Sequence, residues 1–596
     1  MTKLLGRAVA ASTSIFFLAG TDSILPHRGL LLLLLLLAWP VHSEVTLKVP
    51  GGETALLENL RAHLALLSEP CDAPAWRVER LFKRAEKDLD PALRAFGYYR
   101  TQIEKKLERS GACWHAELSI DLGKRVTVTR RSVVVKGAAA SDPALQPLLS
   151  KLPLAEGEPL NHGQYEEIKR QLQDFALERG YLDFTFTDKA LRVDPEEAAA
   201  EIEIAAESGP RYRFGELRFS QQPLLDGFVH RLANIKEGDL YEARALKELD
   251  RNLSDAGYYQ HVEVQLRRDQ AADGQIPVDI DLTPAARHAW RAGVGFATDT
   301  GPRTSFGYNN RYINPRGHRF ESELRLSPVE SGLTADYIIP GENPHRENFS
   351  LGARMLHETS DGILSDSASL IAKQTLQSER WTQSRFIELL YEQSDVGDDS
   401  STALLLMPGI NFERIKADNP LRTRKGYRLS AEMRAAYEGL LSTSSFVQLR
   451  ASAKGIYRFG EGGRVTGRIG LGATLGDGIG NLPASLRFFA GGDNSVRGYE
   501  YKSLGPKDAD GDPEGGRHLF TGSLEYEHPI AGDDWWLAAF ADIGNALNTR
   551  ELELKQGYGT GVRWYSPIGR LRLDLAFPSD KSSDDWRIHF GLGADL

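Results

Sequence analysis

Two periodicities divide the chain. Between residues 45 and 284, stretches with apolar residues at helical spacing alternate with stretches where they recur at every second position. From Ala286 onward only the two-residue period persists. In the first region Tyr165, Ile168, Leu172, Phe175 and Ala176 share one helical face, and Leu246, Leu249 and Leu253 share another. Val262-Val264-Leu266 and Val278-Ile280-Leu282 alternate as half-buried strands do. Further strands are predicted at Val45-Leu47-Val49, at Val126-Val128 with Val133-Val135, and at Tyr212-Phe214 with Leu217-Phe219.

These elements recur with a period of roughly 80 residues. The marker of each copy is a helix that ends in glycine and an aromatic and runs into a strand. The three versions are Gly97-Tyr98-Tyr99 before Thr101–Leu107, Gly180-Tyr181 before Asp183–Thr187, and Gly257-Tyr258-Tyr259 before His261–Leu266. Glycine suits the left-handed position that closes a helix, and the aromatic can cover the helix end. The reading is three α+β units of order β-α-α-β-β, over 44–124, 125–209 and 210–285, with Pro210 and Pro284 near the boundaries.

The remaining 311 residues divide into about sixteen alternating segments, each of the ~10 residues that a membrane strand needs. In the last, Trp586, Ile588, Phe590, Leu592, Ala594 and Leu596 fall on one face. Before it, Leu571, Leu573, Leu575 and Phe577 oppose Arg572, Asp574 and Ala576. Trp290, Ala292, Val294 and Phe296 open the series, and Phe349, Leu351, Ala353 and Met355 continue it. Alternation alone fits a soluble sandwich as well as a barrel. The predicted fold class is three α+β modules followed by a 16-stranded antiparallel transmembrane β-barrel over 286–596.

Composition narrows the classes. With 596 residues, 41% hydrophobic, the chain lacks the repeated apolar runs of a polytopic helical membrane protein. A net charge of −10 argues against a nucleic-acid partner. Residues 1–43 read as a signal peptide: Lys3, Arg7 and Arg28 precede eight leucines (Leu30–Leu37), and cleavage is expected after Ser43. An uncleaved anchor is the alternative. Export makes the two cysteines, Cys71 and Cys113, candidates for a disulfide. Neither has a histidine at ligand spacing. No nucleophile elbow, zinc-protease motif or phosphate-binding loop appears, so no catalytic residue, metal site or cofactor is assigned. Asp508–Glu514 is only a loose likeness to a calcium loop, because the sixth position is Pro513 rather than glycine.

One segment carries more information than its surroundings. Gly491-Gly492-Asp493-Asn494-Ser495-Val496-Arg497-Gly498-Tyr499 lies between strands, followed by a polar stretch from Lys502 to Gly516. Downstream come Phe540-Ala541-Asp542-Ile543-Gly544 and Ser566-Pro567-Ile568-Gly569-Arg570-Leu571-Arg572-Leu573-Asp574. In order and spacing the three segments resemble the assembly-barrel superfamily that includes BamA and TamA, and the N-terminal repeat is similar to POTRA (polypeptide-transport-associated) domains. Three repeats, the Tyr499-x-Tyr501-Lys502-Ser503 continuation and the Gly-x-Gly-x-x-Leu ending (Gly591–Leu596) are most like the TamA-like branch. The C-terminal aromatic usual in such barrels is replaced by Leu596.

The resemblance implies an outer-membrane protein of a Gram-negative bacterium, with its POTRA units in the periplasm. It implies assembly of unfolded outer-membrane or autotransporter clients and a TamB-like, inner-membrane-anchored, periplasm-spanning partner. It also implies that the loop Val496, Arg497, Gly498, Tyr499 folds back into the lumen, where Arg497 needs a carboxylate that Asp542 supplies. Gly498 would let the backbone pass close to the wall. Gly591 and Gly593 in the closing strand would weaken the lateral seam against the first strand, exposing an edge where a client strand could add. They could instead merely relieve crowding in the lumen. A BamA-like general assembly barrel, a two-partner-secretion-type translocator and a passive porin are the alternatives.

Overall fold

The computed structural model describes residues 44–110, 113–220, 223–419, 422–460, 462–549, 553–566, 569–580 and 585–593. The predicted signal segment 1–43 and the final three residues of the predicted last strand, Ala594–Leu596, lie outside them.

The repeat corresponds to three α+β units. The first holds β1 (Glu44–Lys48), α1 (Thr54–His63), α2 (Ala75–Ala95), β2 (Gln102–Ser110) and β3 (Cys113–Asp121). Its sheet has the order β1-β3-β2, with β1 parallel and β2 antiparallel to the central β3. Val78, Ala85, Leu89, Ala92 and Leu93 recur at helical spacing along α2 and are buried. They pack with Trp114, Leu118 and Ile120 from one face of β3. A disulfide joins Cys71, between the helices, to Cys113 at the start of β3.

The second unit holds β4 (Thr127–Lys136), α3 (Leu145–Lys151), α4 (His162–Glu178), β5 (Thr185–Asp194) and β6 (Ala199–Glu207), with sheet order β4-β6-β5. The third holds β7 (Arg213–Ser220), α5 (Asp226–Ala233), α6 (Ala243–Asp255), β8 (Tyr259–Leu266) and β9 (Gln275–Pro284), with order β7-β9-β8.

One local expectation is corrected. The strand after Tyr181 starts at Thr185 rather than Asp183, because Asp183 is drawn into a turn and accepts hydrogen bonds from Tyr212 (2.8 Å) and Arg268 (2.5 Å). The strand expected to open the second unit runs unbroken over β4 and that of the third over β7. In β7 a register shift between Phe214 and Leu217 lets both be buried three positions apart.

The glycine of each repeat marker does more than close its helix. Gly97 (φ +85°) gives its carbonyl to the Val126 amide of the following unit at 2.9 Å, and a Cβ there would lie 2.7 Å from the Leu160 carbonyl. Gly180 (φ +84°) does the same with the Tyr212 amide at 2.9 Å and the Tyr241 carbonyl at 3.0 Å. In the third copy, Gly257 accepts from Arg311, and the neighbouring Tyr258 hydroxyl donates to the Gly317 carbonyl. Both partners belong to the C-terminal sheet region. The same residue therefore serves as helix stop and as docking seat.

The C-terminal half is one sheet of sixteen strands, β10 (His288–Ala297) through β25 (Arg587–Gly593), in sequence order. Each strand is antiparallel to the next; Trp290 pairs with Tyr308, for example, and Asp574 with His589. The two faces settle barrel against sandwich. The large apolar residues are outside: Val294 is 87% exposed and Trp290 77%, with Leu351 and Met355 also exposed. The charged residues Glu525, Glu527, Asp542, Arg563 and Asp574 are buried on the other face. A soluble sandwich would bury the opposite set. Among the described residues no ladder joins β10 to β25, and no helix is long and apolar enough to cross a membrane.

Candidate functional site in the barrel lumen

The loop between β20 (Arg464–Gly476) and β21 (His518–Ala531) turns back on itself. Phe488 and Gly516 exchange backbone hydrogen bonds at 2.9 and 2.7 Å, as do Ala490 and Leu504 at 3.1 and 2.9 Å. Val496, Arg497 and Tyr499 at its turn are all buried. An ordinary surface loop would leave such residues in water.

Arg497 meets three strands. Its Nε and Nη2 donate to the two oxygens of Asp542 at 2.7 and 3.0 Å, and its own amide adds a third bond to Asp542 at 3.1 Å. Asp542 stands on β22 (Trp535–Leu547). Arg497 Nη1 reaches Glu525 on β21 at 2.7 Å and Asp574 on β24 (Gly569–Pro578) at 3.0 Å. The guanidinium carbon also sits 3.4 Å from the centre of the Phe540 ring. Between β22 and β24 runs β23 (Lys555–Ser566), whose Arg563 joins Glu525 (2.9 Å) to Asp574 (2.5 Å). Arg570 and Arg464 extend the network to Glu527. Four guanidinium groups and four carboxylates are interleaved on one inner wall.

Glycines make room for the loop. On the inward face of β23, Gly557 lies opposite Asp542, and any Cβ there would collide with the Arg497 carbonyl. Gly498 has φ +95°, and a Cβ would come within 3.0 Å of the Phe577 and Pro578 backbone. The Gly498 amide donates to His589 Nε2 of β25 at 3.0 Å. The Tyr499 hydroxyl bonds the Gln556 carbonyl at 3.2 Å and the Asp580 carboxylate.

The structure thus brings Val496, Arg497, Gly498, Tyr499 and Asp542 together at one place. Gly591 and Gly593 lie in β25 opposite Arg572 and Arg570. A Cβ at Gly591 would sit 2.6 Å from the side-chain Nε of Arg572. Cys71 and Cys113 form their disulfide in the first α+β unit. Sequence reasoning missed Glu525 and Arg563, and placed Asp574, Asp493 and His589 without giving them a role. One signal was available: charged residues recurring at alternate positions along a strand, as in Ser523-x-Glu525-x-Glu527 of β21 and Arg570-x-Arg572-x-Asp574 of β24, mark an inward face without saying which charges meet.

Asp299, Asp493 and His589 place ligand atoms within 4.8 Å of one another. They fit a cation poorly. His589 Nε2 accepts a hydrogen bond from the Gly498 amide, which can only donate, so the imidazole proton is on Nδ1 facing Asp493. A metal on Nδ1 would move that proton to Nε2 and set two donors against each other.

Comparison with known proteins agrees with this geometry. A family model described as the Omp85 superfamily domain matches residues 279–596. Models described as POTRA domain TamA domain 1 and as a POTRA surface antigen variable number repeat match 46–122 and 128–205. The outer membrane protein assembly factor BamA of Nitratidesulfovibrio vulgaris is 24% identical over 393 residues, 62% of this chain and 50% of that protein. The chain therefore spans about half the length of this curated relative. The protein of the same name from Neorickettsia risticii is 20% identical over 562 residues, covering 88% of this chain and 74% of that one. The crystal structure of BamA from Haemophilus ducreyi lacking POTRA domains 1–3 shares the fold, with TM-score 0.64 at 16% identity, over 78% of this chain and 99% of that one.

Proposed function

The chain belongs to the Omp85 superfamily, and from that premise we propose that it is an outer-membrane assembly factor that helps unfolded β-barrel clients fold into the membrane. The carrying observation is the loop: Arg497 fixes it to three strands of the inner wall, beside a sheet whose first and last strands share no ladder among the described residues. Once these two strands part, the freed edge would offer unpaired main-chain groups to an incoming strand. In this reading the barrel sits in the outer membrane of a Gram-negative bacterium, and the units at 44–124, 125–209 and 210–285 are POTRA domains in the periplasm.

Within the superfamily we favour a TamA-like role with a TamB-like periplasm-spanning partner. Three α+β units and the description of the model matching 46–122 support it. The names of the relatives support a BamA-like general role instead. The test is reconstitution of the full chain in phospholipid vesicles with an unfolded autotransporter barrel. The client should become protease-resistant in the membrane faster than in empty vesicles. Equal rates would contradict the proposal, and soluble client inside the vesicles would indicate a secretion translocator.

A further inference from the structure

We infer that Asp493 is a latch that holds the barrel seam closed. The inference rests on the assembly reading only for its consequence, not for its geometry. Thr298 and Asp299 follow the end of β10, while His589 and Phe590 lie in β25, so the four belong to opposite edges of the sheet. Direct main-chain contact between these edges includes the Thr298 amide on the Phe590 carbonyl at 3.3 Å, and the Phe590 amide returns a bond to Thr298 Oγ1 at 3.0 Å.

Asp493 completes the closure from the loop. Its carboxylate accepts from Thr298 Oγ1 (3.0 Å) on one edge and from His589 Nδ1 (2.5 Å) on the other. Its amide donates to Asp299 Oδ2 at 2.6 Å. Asp493 and His589 are 2% and 3% exposed, so water competes little for these bonds. His589 takes its second bond from Gly498, next to Arg497, so the imidazole spans the two ends of the motif. The loop therefore has two separate grips. Arg497 holds the continuous wall β21–β24, and Asp493 holds both edges of the seam. Asp493 acts through Thr298 and His589 and is a positioning residue. Withdrawing the loop by a few ångströms would release both edges at once, so loop position and seam opening form a single switch.

Amide hydrogen exchange on the full chain in vesicles tests this without any client. In Asp493→Ala, peptides covering 288–297 and 587–593 should exchange about tenfold faster, with the other barrel strands unchanged. Asp493→Asn keeps an oxygen for Thr298 and His589 and should restore most of the protection. Thr298→Val, which keeps the side-chain shape, should move exchange in the same direction as Asp493→Ala. Unchanged seam exchange in Asp493→Ala and Thr298→Val would overturn the latch, and so would acceleration spread evenly over all strands. If the seam loosens while client insertion in the same vesicles is unaltered, the latch stands and the assembly reading fails.

Discussion

Arg497 shows what one buried guanidinium does in this lumen. Its four bonds to Asp542, Glu525 and Asp574 and a longer one to the Ser523 hydroxyl leave no donor direction idle, which is how a buried charge is tolerated. Arg497→Ala takes the ion-pair partner from Asp542, while Glu525 and Asp574 keep Arg563, and removing one partner of such a buried pair costs about 3–5 kcal/mol. The urea midpoint of the reconstituted protein should fall accordingly. Arg497→Lys should recover only part of it, because an ammonium cannot serve three carboxylates in one plane. Combining Arg497→Ala with Asp542→Ala should cost less than the sum of the two, since both break the same pair; strict additivity would show that they act separately. Asp542 was legible in the sequence because the motif that holds it travels with the loop motif. Glu525 and Arg563 were not. Inward charges look alike along every strand, and only the closed wall decides which of them the loop meets.

At the scale of elements, the α+β units were read well from periodicity, and their joints were not. The marker glycines looked like helix stops; that they also seat the following unit depends on backbone contacts roughly 30 to 60 residues away in sequence, such as Gly97 to Val126 and Leu160. In the second unit the buried Asp142 accepts from Arg179 (2.8 Å) and Tyr181 (2.9 Å). Burial opposes its charge, but bonds from Arg179, the Ala144 amide and Tyr181 prevail and hold the carboxyl below its ordinary value. Burial and the bond to Asp142 push the Tyr181 hydroxyl up to about 12. A depressed carboxyl stabilises the fold above its unfolded pKa of about 3.9 and loses that contribution as pH falls through the folded value. The raised phenol contributes below about 10 and fades toward 12. Asp142→Asn should therefore lower the melting point of the helical circular dichroism signal at pH 7 by about 4–8 °C for each kcal/mol lost, and the difference should vanish in acid. The six described α-helices all lie in the α+β units, so this signal reports mainly on them. The disulfide closes a loop of 42 residues and contributes about 4 kcal/mol in the chain-entropy model. Replacing both cysteines by serine should lower the melting of the first unit and leave the barrel transition in place.

For the whole molecule, the inversion of burial is the decisive physical fact: apolar residues outside, charges within. Alternation along the chain announced sixteen strands without saying which face would meet lipid, because a sandwich and a barrel share the same two-residue period. The seam was anticipated from Gly591 and Gly593, and the edge contacts run through Thr298, His589 and the loop, which the sequence pattern did not mark. On the assembly reading proposed above, the first and last strands must part for a client to enter the membrane. The rings of Phe296 and Phe590 face each other across the seam, 5.9 Å between centres. The most direct measurement is client insertion by Phe296→Cys/Phe590→Cys in a chain whose native cysteines are serines, compared before and after reduction. The oxidised form should fold and enter vesicles yet fail to insert clients, and reduction should restore insertion. A locked barrel that inserts clients at the unlocked rate would contradict the account.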